Sequence, residues 1–321
     1  MNGISPRVSV IVTHYNYARY IAEALQSVRQ QSIDDWEIII VDDCSDVGEF
    51  ALVERIVAEM GDNRIKLVRN SSNLGQISAI FEGVDQAKGD FISLLDPDDR
   101  YESTFLETML AAFLNPRQMI GVAACEMGIF HDRYGVLSLH STSFRYHAVM
   151  EGRYDETTTS QLLNGFSAYI PSWKQGWHWV ATSGMMFRRA ILDLIRPSKP
   201  VTFTRFEGDS YCGHGCHMIA GSAFVDQMLS WRRVHDNNTA KNPVLIFEYQ
   251  NKLKPEFANS LGDSMLLAAE AILSTTKLSS AAKANLMPSI SAHIGHQGIL
   301  TLTQRSESAR DIIWACAVGG T

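Results

Sequence analysis

The stretch Phe91-Ile92-Ser93-Leu94-Leu95-Asp96-Pro97-Asp98-Asp99 is an apolar run that ends in three carboxylates. Aromatic, β-branched and aliphatic residues, preceded by Gly89-Asp90, suit a strand buried on both faces. Three acids so close together do not suit a core, because they repel one another unless a cation or a hydrogen-bond donor lies among them. Two readings are open at this point. Asp-Pro-Asp-Asp is good turn chemistry, and it is also an oxygen-rich site for a hard divalent ion such as Mg²⁺ or Mn²⁺. In an open α/β sheet, ligands bind beyond the carboxyl ends of the strands, which is where a metal-bound phosphate is expected.

Working outward, Arg7 to Thr13 is a short β-branched run broken by His14-Tyr15-Asn16-Tyr17, after which Ile21, Ala24, Leu25 and Val28 recur at helical spacing. Trp36 to Val41 reads as a second buried strand closed by Asp42-Asp43-Cys44-Ser45-Asp46. Phe50, Val53, Val57 and Met60 then share a helical face with Gly61 as its stop. Ile65 to Val68 reads as a third strand, Asn70 to Gly75 as a loop, and the segment after it to Ala87 as a helix leading into Phe91. Strands alternating with helices imply a parallel sheet with right-handed crossovers. A helix is expected over Ser103 to Leu114, a strand over Ile120 to Cys125, a helix over Arg189 to Ile195 and a last strand over Ala223 to Trp231. The polar, aromatic stretch from Met127 to Gln175 reads as a binding or lid segment. From Asn242 onward the composition shifts to Ala, Leu, Ser and Met, with amphipathic patterns at Leu261 to Leu273 and Ala309 to Val318, an all-helical appendage. Its apolar face around Ile312, Ile313 and Trp314 is expected to bury against the main domain, a second subunit or a membrane surface.

The 321 residues, 45% hydrophobic and 20% charged, have the composition of a soluble globular chain of one large domain plus an appendage. A net charge of −7 without a long basic run argues against a general nucleic-acid binder. No apolar stretch has transmembrane length and no signal peptide is read, so a cytoplasmic protein is expected, with peripheral contact at the inner face of a membrane as an option. Five scattered cysteines fit reduced thiols.

Neither a Gly-x-Gly-x-x-Gly nor a Gly-x-x-x-x-Gly-Lys-Ser/Thr is present, so glycine loops do not hold phosphate here. The first loop offers Thr13 and Tyr15, a hydroxyl and a ring at a strand end; a packed surface aromatic is the plainer role for Tyr15. Asp42 and Asp43 could accept from a base or a ribose, or cap the helix that follows. Trp173, Trp177 and Trp179 could form a sugar-stacking wall or sit in the core. The cluster Cys212-Gly-His214-Gly-Cys216-His217 is not taken as a metal or haem site, because it lacks both Cys-x-x-Cys-His and a second ligand pair.

The residues Val8 to Thr13 with Tyr15 and Asn16, then Ile40-Val-Asp42-Asp43-Cys-Ser45, Asn73-Leu-Gly75, Gly89-Asp90 and Leu95-Asp96-Pro-Asp98-Asp99 resemble the nucleotide-sugar-binding half of family 2 glycosyltransferases. The resemblance implies a GT-A type, Rossmann-like mixed α/β sheet flanked by helices. It implies that Thr13, Tyr15 and Asp43 meet the nucleobase, that Asp98 meets the ribose or a metal-bound water, that Asp99 binds Mn²⁺ or Mg²⁺, and that Asp96 supports that cluster. In the second half Glu207-Gly208-Asp209 and Arg233-Val-His235 are similar to the family's acidic pair and Arg-x-His, 24 residues apart. Asp209 would be the catalytic base, and the metal with Arg233 or His235 would take up the leaving charge. Gly208 departs from the family, which usually carries Glu there, and leaves the choice between Glu207 and Asp209 open. Taken as residues alone, Arg233 reads equally as an ion-pair partner and His235 as a satisfied core histidine.

The expectation is a domain at residues 1–241, with a nucleotide-sugar half at 1–115 and an acceptor half at 116–241, and a helical region at 242–321. Its function would be inverting transfer of a sugar from a nucleotide diphosphate, a UDP-sugar, to a hydroxyl of a saccharide or lipid-linked acceptor in polysaccharide or glycolipid assembly. The helical region could also support a homo-oligomer. The rivals are a sugar-phosphate nucleotidyltransferase, which should carry a Gly-rich, Arg-containing first loop, and a non-catalytic nucleotide-sugar binding protein.

Overall fold

A computed structural model of the chain describes residues 6–114, 118–139, 161–164, 167–198, 201, 207–235, 238 and 260–318. Four parallel strands build its first half: β1 (Val8–His14), β2 (Trp36–Asp42), β3 (Ile65–Arg69) and β4 (Phe91–Leu94). They are joined by α1 (Ala18–Arg29), α2 (Val47–Met60) and α3 (Gln76–Gln86). Gly61 ends α2 at φ +60, a left-handed turn that glycine adopts without Cβ strain. The near-continuous apolar runs of β1, β2 and β4 follow from burial on both faces. Ile11, Ile39, Val41 and Leu94 point to one core, and Val8, Val10, Val12, Ile38 and Ile40 to the other.

β5 (Arg100–Tyr101) and α4 (Phe105–Phe113) follow, then β6 (Val122–His131), β7 (Gly135–Ser138), β8 (Gln161–Asn164), β9 (Ser167–Ile170) and β10 (Met185–Arg188). The short α5 (Arg189–Leu192) leads to α6 (Gly208–Ala220) and β11 (Ser222–Arg233). The described strands form one mixed sheet in the order β3-β2-β1-β4-β10-β6-β11-β9-β8, with β5 on β11 and β7 on β6. β10 enters antiparallel between β4 and β6, which turns the parallel first half into a mixed sheet.

β6 runs ten residues, past the expected end at Cys125. Glu126 and Gly128 hid that length by breaking the apolar run. Glu126 is nevertheless buried, and a Cβ on Gly128 would meet the Trp231 ring at 2.6 Å, so the glycine is there to seat the tryptophan. Of the expected lid segment, residues 140–160 and 165–166 lie outside the described residues, and the rest includes the end of β6 and the strands β7, β8 and β9.

The C-terminal helices α7 (Ser260–Ser274), α8 (Ser280–Arg305) and α9 (Glu307–Val318) bury Ala268, Ala269, Ile272, Leu273, Ile290, Leu302 and Ala309 in the same core as Tyr211, Cys212 and Cys216 of α6. They are packed onto the main domain. Burying each of the Ile and Leu side chains among them contributes roughly 1.5–3 kcal/mol. α8 went unread in the sequence because Pro288 and Gly295 (φ +65) interrupt its pattern. Trp314 stays 62% exposed, and the boundary near residue 241 falls outside the described residues. No helix among the described residues is long and apolar enough to cross a membrane.

Candidate active site

The carboxyl ends of β1, β2 and β4 align because His14 pairs with Asp42 in register and Ile11 with Leu94. His14 is buried and ties two of these ends together. Its Nε2 accepts the Tyr17 N–H at 3.1 Å, which leaves Nδ1–H to donate to Asp42 Oδ1 at 2.8 Å. Burial pushes the Asp42 carboxyl up, but hydrogen bonds from His14 and Ser45 outweigh it and hold the group below its ordinary range. Asn16 and Cys44 take left-handed φ of 57 and 64, and Asn16 bridges the facing loops through Ser45 Oγ (3.0 Å) and the Asp46 N–H (2.9 Å).

Beside these loops Thr13 is half-buried and Tyr15 is exposed. Asp43 is buried and accepts from Asn70 Nδ2 (2.8 Å), the Leu74 N–H (3.0 Å) and the Gly75 N–H (2.8 Å). The Leu74 N–H is shared with the second carboxylate oxygen (3.1 Å), so these three donors engage all of the group's about four acceptor positions. Asp42, by contrast, serves the scaffold.

The acids that close β4 lie together. Asp99 is buried; its Oδ2 accepts from the Ser183 hydroxyl at 2.6 Å and its Oδ1 from the Arg233 N–H at 2.9 Å. Burial first, then the charge of Asp98, raise its carboxyl to about 7. Asp96 is raised well above its ordinary value by burial and by the charges of Asp99, Asp98 and Asp209, with Thr182 hydrogen-bonded to it. Asp98 Oδ2 meets His235 Nε2 at 3.1 Å and Asn238 Nδ2 at 3.2 Å.

Asp209 stands in the first turn of α6, close enough to the cluster that its charge is felt at Asp96. Burial raises its carboxyl, opposed by its bond from the Ser210 N–H and by the charge of Arg232. Glu207 turns away and accepts from the Ser264 hydroxyl of α7. Gly208 has a steric cause: a Cβ there would lie 2.4 Å from Ile80 Cδ1 and 3.1 Å from Gln76 Oε1.

Arg233 does not point its guanidinium into this space. It is buried, ion-paired to Glu23 and Asp132, bonded through Nε to the Asp98 carbonyl at 2.9 Å and stacked near Tyr20 and Phe130. Arg232 is the cation whose charge reaches both Asp99 and Asp209. Alternation along β11 explains this, because neighbouring residues face opposite ways. Sequence reasoning missed Arg232, Ser183, Asn238 and Gln76. Only Arg232 left a signal, as the neighbour of an Arg already chosen. Trp179 is core, its indole donating to Ser222 Oγ at 3.0 Å, while Trp173 and Trp177 are partly exposed.

Among the described residues no three His, Cys, Asp or Glu side chains are arranged to hold a metal ion unaided. The oxygens of Asp98 and Asp99 are nevertheless hard donors, and their mutual repulsion is of the kind a divalent cation relieves. They fit an ion that draws its other ligands from phosphate and water, as Mg²⁺ commonly does.

A sequence model of glycosyl transferase family 2 matches residues 9–195. The putative glycosyltransferase EpsH of Bacillus subtilis is 39% identical over 251 residues, 78% of this chain and 65% of its own. The putative teichuronic acid biosynthesis glycosyltransferase TuaG of the same organism is 37% identical over 110 residues, 34% of this chain and 43% of its own. The chain spans between 43% and 66% of the length of four curated relatives it matches. In structure it resembles Staphylococcus aureus TarS 1–349 in complex with UDP (TM-score 0.55, 18% identity, 88% of this chain and 69% of that one). It also resembles the mannosyltransferase PcManGT of Pyrobaculum calidifontis in complex with GDP-Man and Mn²⁺ (TM-score 0.52, 16% identity, 99% of this chain and 76% of that one). These likenesses bear out the GT-A fold expected from the sequence.

Proposed function

The chain belongs to glycosyl transferase family 2, and from that premise we propose that it transfers a sugar from a nucleotide diphosphate, a UDP-sugar, to a hydroxyl acceptor with inversion. One observation carries this reading: Asp209, a half-buried carboxylate with a raised pKa, faces the acid cluster of β4 and a cation across the end of the sheet. A base needs such a placement, near the leaving group yet apart from the ion.

In this reading Thr13, Tyr15 and Asp43 receive the base. Asp98 meets the ribose or a metal-bound water, Asp99 with Asp98 would hold Mn²⁺ or Mg²⁺, and Asp96 supports them. When bound, the ion supplies positive charge to the departing diphosphate. Asp209 takes the acceptor's hydroxyl proton as that oxygen bonds to the anomeric carbon, and the bond from that carbon to the diphosphate breaks, releasing the nucleotide. Arg232 faces the developing negative charge. Arg233 and His235 hold Asp98 and Asp99 in place. At Gly208, where the family usually carries Glu, a Cβ would press on the ends of the Ile80 and Gln76 side chains, a packing reason for the glycine that does not require loss of activity.

We further assign residues 1–241 to the transferase domain, with its nucleotide-sugar half at 1–115, and 242–321 to a helical region, and place the activity in polysaccharide or glycolipid assembly at the inner face of a membrane. The name of TuaG, a putative teichuronic acid biosynthesis glycosyltransferase, supports the polysaccharide setting. The test is a thermal-shift panel of UDP, GDP and UDP-sugars with and without Mn²⁺. A ligand at about 100 times its Kd stabilises by roughly 2.7 kcal/mol. Stabilisation by UDP and its sugars that requires Mn²⁺ is expected; indifference to every nucleotide overturns the reading.

A further inference from the structure

The turn that carries Asp209 is held from two sides by residues outside the acid cluster. On one side Gln76, the first residue of α3, accepts the Gly208 N–H on Oε1 at 3.0 Å. On the other, the buried hydroxyl of Ser264 on α7 donates to the Glu207 carboxylate. The Glu207 carbonyl in turn accepts the Tyr211 N–H at 2.9 Å, the bond that opens α6. Glu207 occupies the position before the helix yet makes no side-chain cap to it, since its carboxylate is given to α7. A Cβ on Gly208 would press on the side-chain ends of Ile80 and Gln76.

Gln76 is also the next residue after the loop that Asp43 holds. The Leu74 and Gly75 N–H groups both donate to the Asp43 carboxylate, and Gly75 sits at φ +84, a conformation that fixes where Gln76 starts. An unbroken path of hydrogen bonds and short covalent links runs from Asp43 through Gly75 and Gln76 to Gly208 and Asp209. We infer that Gln76 and Ser264 are positioning residues that clamp the Asp209 turn, and that Gln76 couples it to occupancy of the Asp43 loop by the nucleotide. This rests on the proposed roles of Asp43 and Asp209. A nucleotide that draws on the Asp43 carboxylate changes its hold on the Leu74–Gly75 loop, and with it the placing of the acceptor that holds Gly208. Donor binding thereby sets the base before an acceptor arrives, and small displacements of a base are costly in rate. Ser264 makes the C-terminal helices part of the same device.

The experiment is amide hydrogen exchange on the full chain with and without UDP and Mn²⁺, read at the peptide covering residues 207–215, together with release of UDP from UDP-N-acetylglucosamine with water as acceptor. In the native chain UDP is expected to slow exchange in that peptide. Gln76→Leu should bind UDP with native affinity yet lose this protection, and Ser264→Ala should raise basal exchange there. Both should lower kcat at least about tenfold with KM for the donor unchanged. Gln76→Glu, which keeps the acceptor, should recover both readouts. UDP-induced protection that survives in Gln76→Leu overturns the coupling, as does a native chain that binds UDP without protecting the peptide. Failure of the native chain to bind UDP at all sinks the proposed function itself, a distinguishable result.

Discussion

The Ser183 hydroxyl donates to Oδ2 of Asp99 at 2.6 Å, and the same oxygen atom of Ser183 accepts the Asp96 N–H at 3.0 Å. One small side chain from the segment before β10 thus links two of the acids that close β4, and leaves the repulsion between Asp99 and Asp98 to be relieved by something else.

If that is a divalent ion, Asp99→Asn should keep the Arg233 N–H bond on its one oxygen, with its amide N–H donating to the Ser183 oxygen instead of accepting from it, while removing a charge. Metal-free thermal stability should hold or rise, because a repulsive buried charge is gone. The Mn²⁺-dependent part of UDP stabilisation should vanish. Undiminished Mn²⁺-dependent UDP binding in this variant, read by thermal shift, removes Asp99 from the metal site.

Asp209→Asn preserves size and should spare nucleotide-sugar affinity while lowering transfer by about 10² to 10⁴. Glu207→Gln, whose partner Ser264 still finds an acceptor, should cost far less. Steady-state kinetics on both variants decide: loss confined to Glu207→Gln makes Glu207 the base.

Neighbouring arginines should separate stability from chemistry. Arg233→Met strips Glu23, Asp132 and the Asp98 carbonyl of their shared donor, and a loss of about 1–3 kcal/mol in unfolding free energy is expected, since both acids keep partial contact with water. Arg232→Met should change stability by less than about 0.5 kcal/mol and lower transfer instead. Denaturant titrations beside kinetics read out the pair, and reversed effects would exchange the two roles.

Restoring the family residue with Gly208→Glu should destabilise by about 1–3 kcal/mol without gain of activity, because the new Cβ meets Ile80. Adding Ile80→Ala should return part of that loss. A stable, faster Gly208→Glu enzyme would show that the glycine is not a steric requirement.

Acid should loosen the C-terminal helices. His178, His214 and His217 are packed with His293 of α8 among Trp177 and Trp179, against the Lys174 and Ser172 carbonyls and the Ser222 hydroxyl. Burial lowers His178 to about 4 and His214 to about 3, and lowers His217 and His293 too. The unfolded chain, with ordinary histidines near 6.5, therefore binds more protons. Stability is complete above that value and falls as pH drops through it towards 4, by up to about 1.4 kcal/mol per pH unit for each histidine. His214→Leu removes an imidazole whose Nδ1 finds no partner among the described residues, and should flatten the slope. Urea melts from pH 8 to 5 measure it, and an unchanged slope excludes His214.

The sequence by itself determined the first half. Apolar runs such as Trp36 to Val41 can only be buried strands, and the polar groups that end them must gather where parallel strands end, so Thr13, Asp43 and Asp96 to Asp99 could be placed from pattern alone. Gly61 announced its own turn. What tertiary structure decided is of another kind. Whether Arg232 or Arg233 faces the acids depends on the phase of β11 against β6, and the register shifts between Val225 and Ser230 make that phase unreadable by counting. Ser183, Gln76 and Ser264 are ordinary polar residues whose meaning comes from partners 84, 132 and 57 positions away. Gly208 looked like a lost acid until Ile80 was found in the space its side chain would need. Period and composition report what a residue buries; which atom it touches across the fold is set by packing, which sequence spacing does not encode.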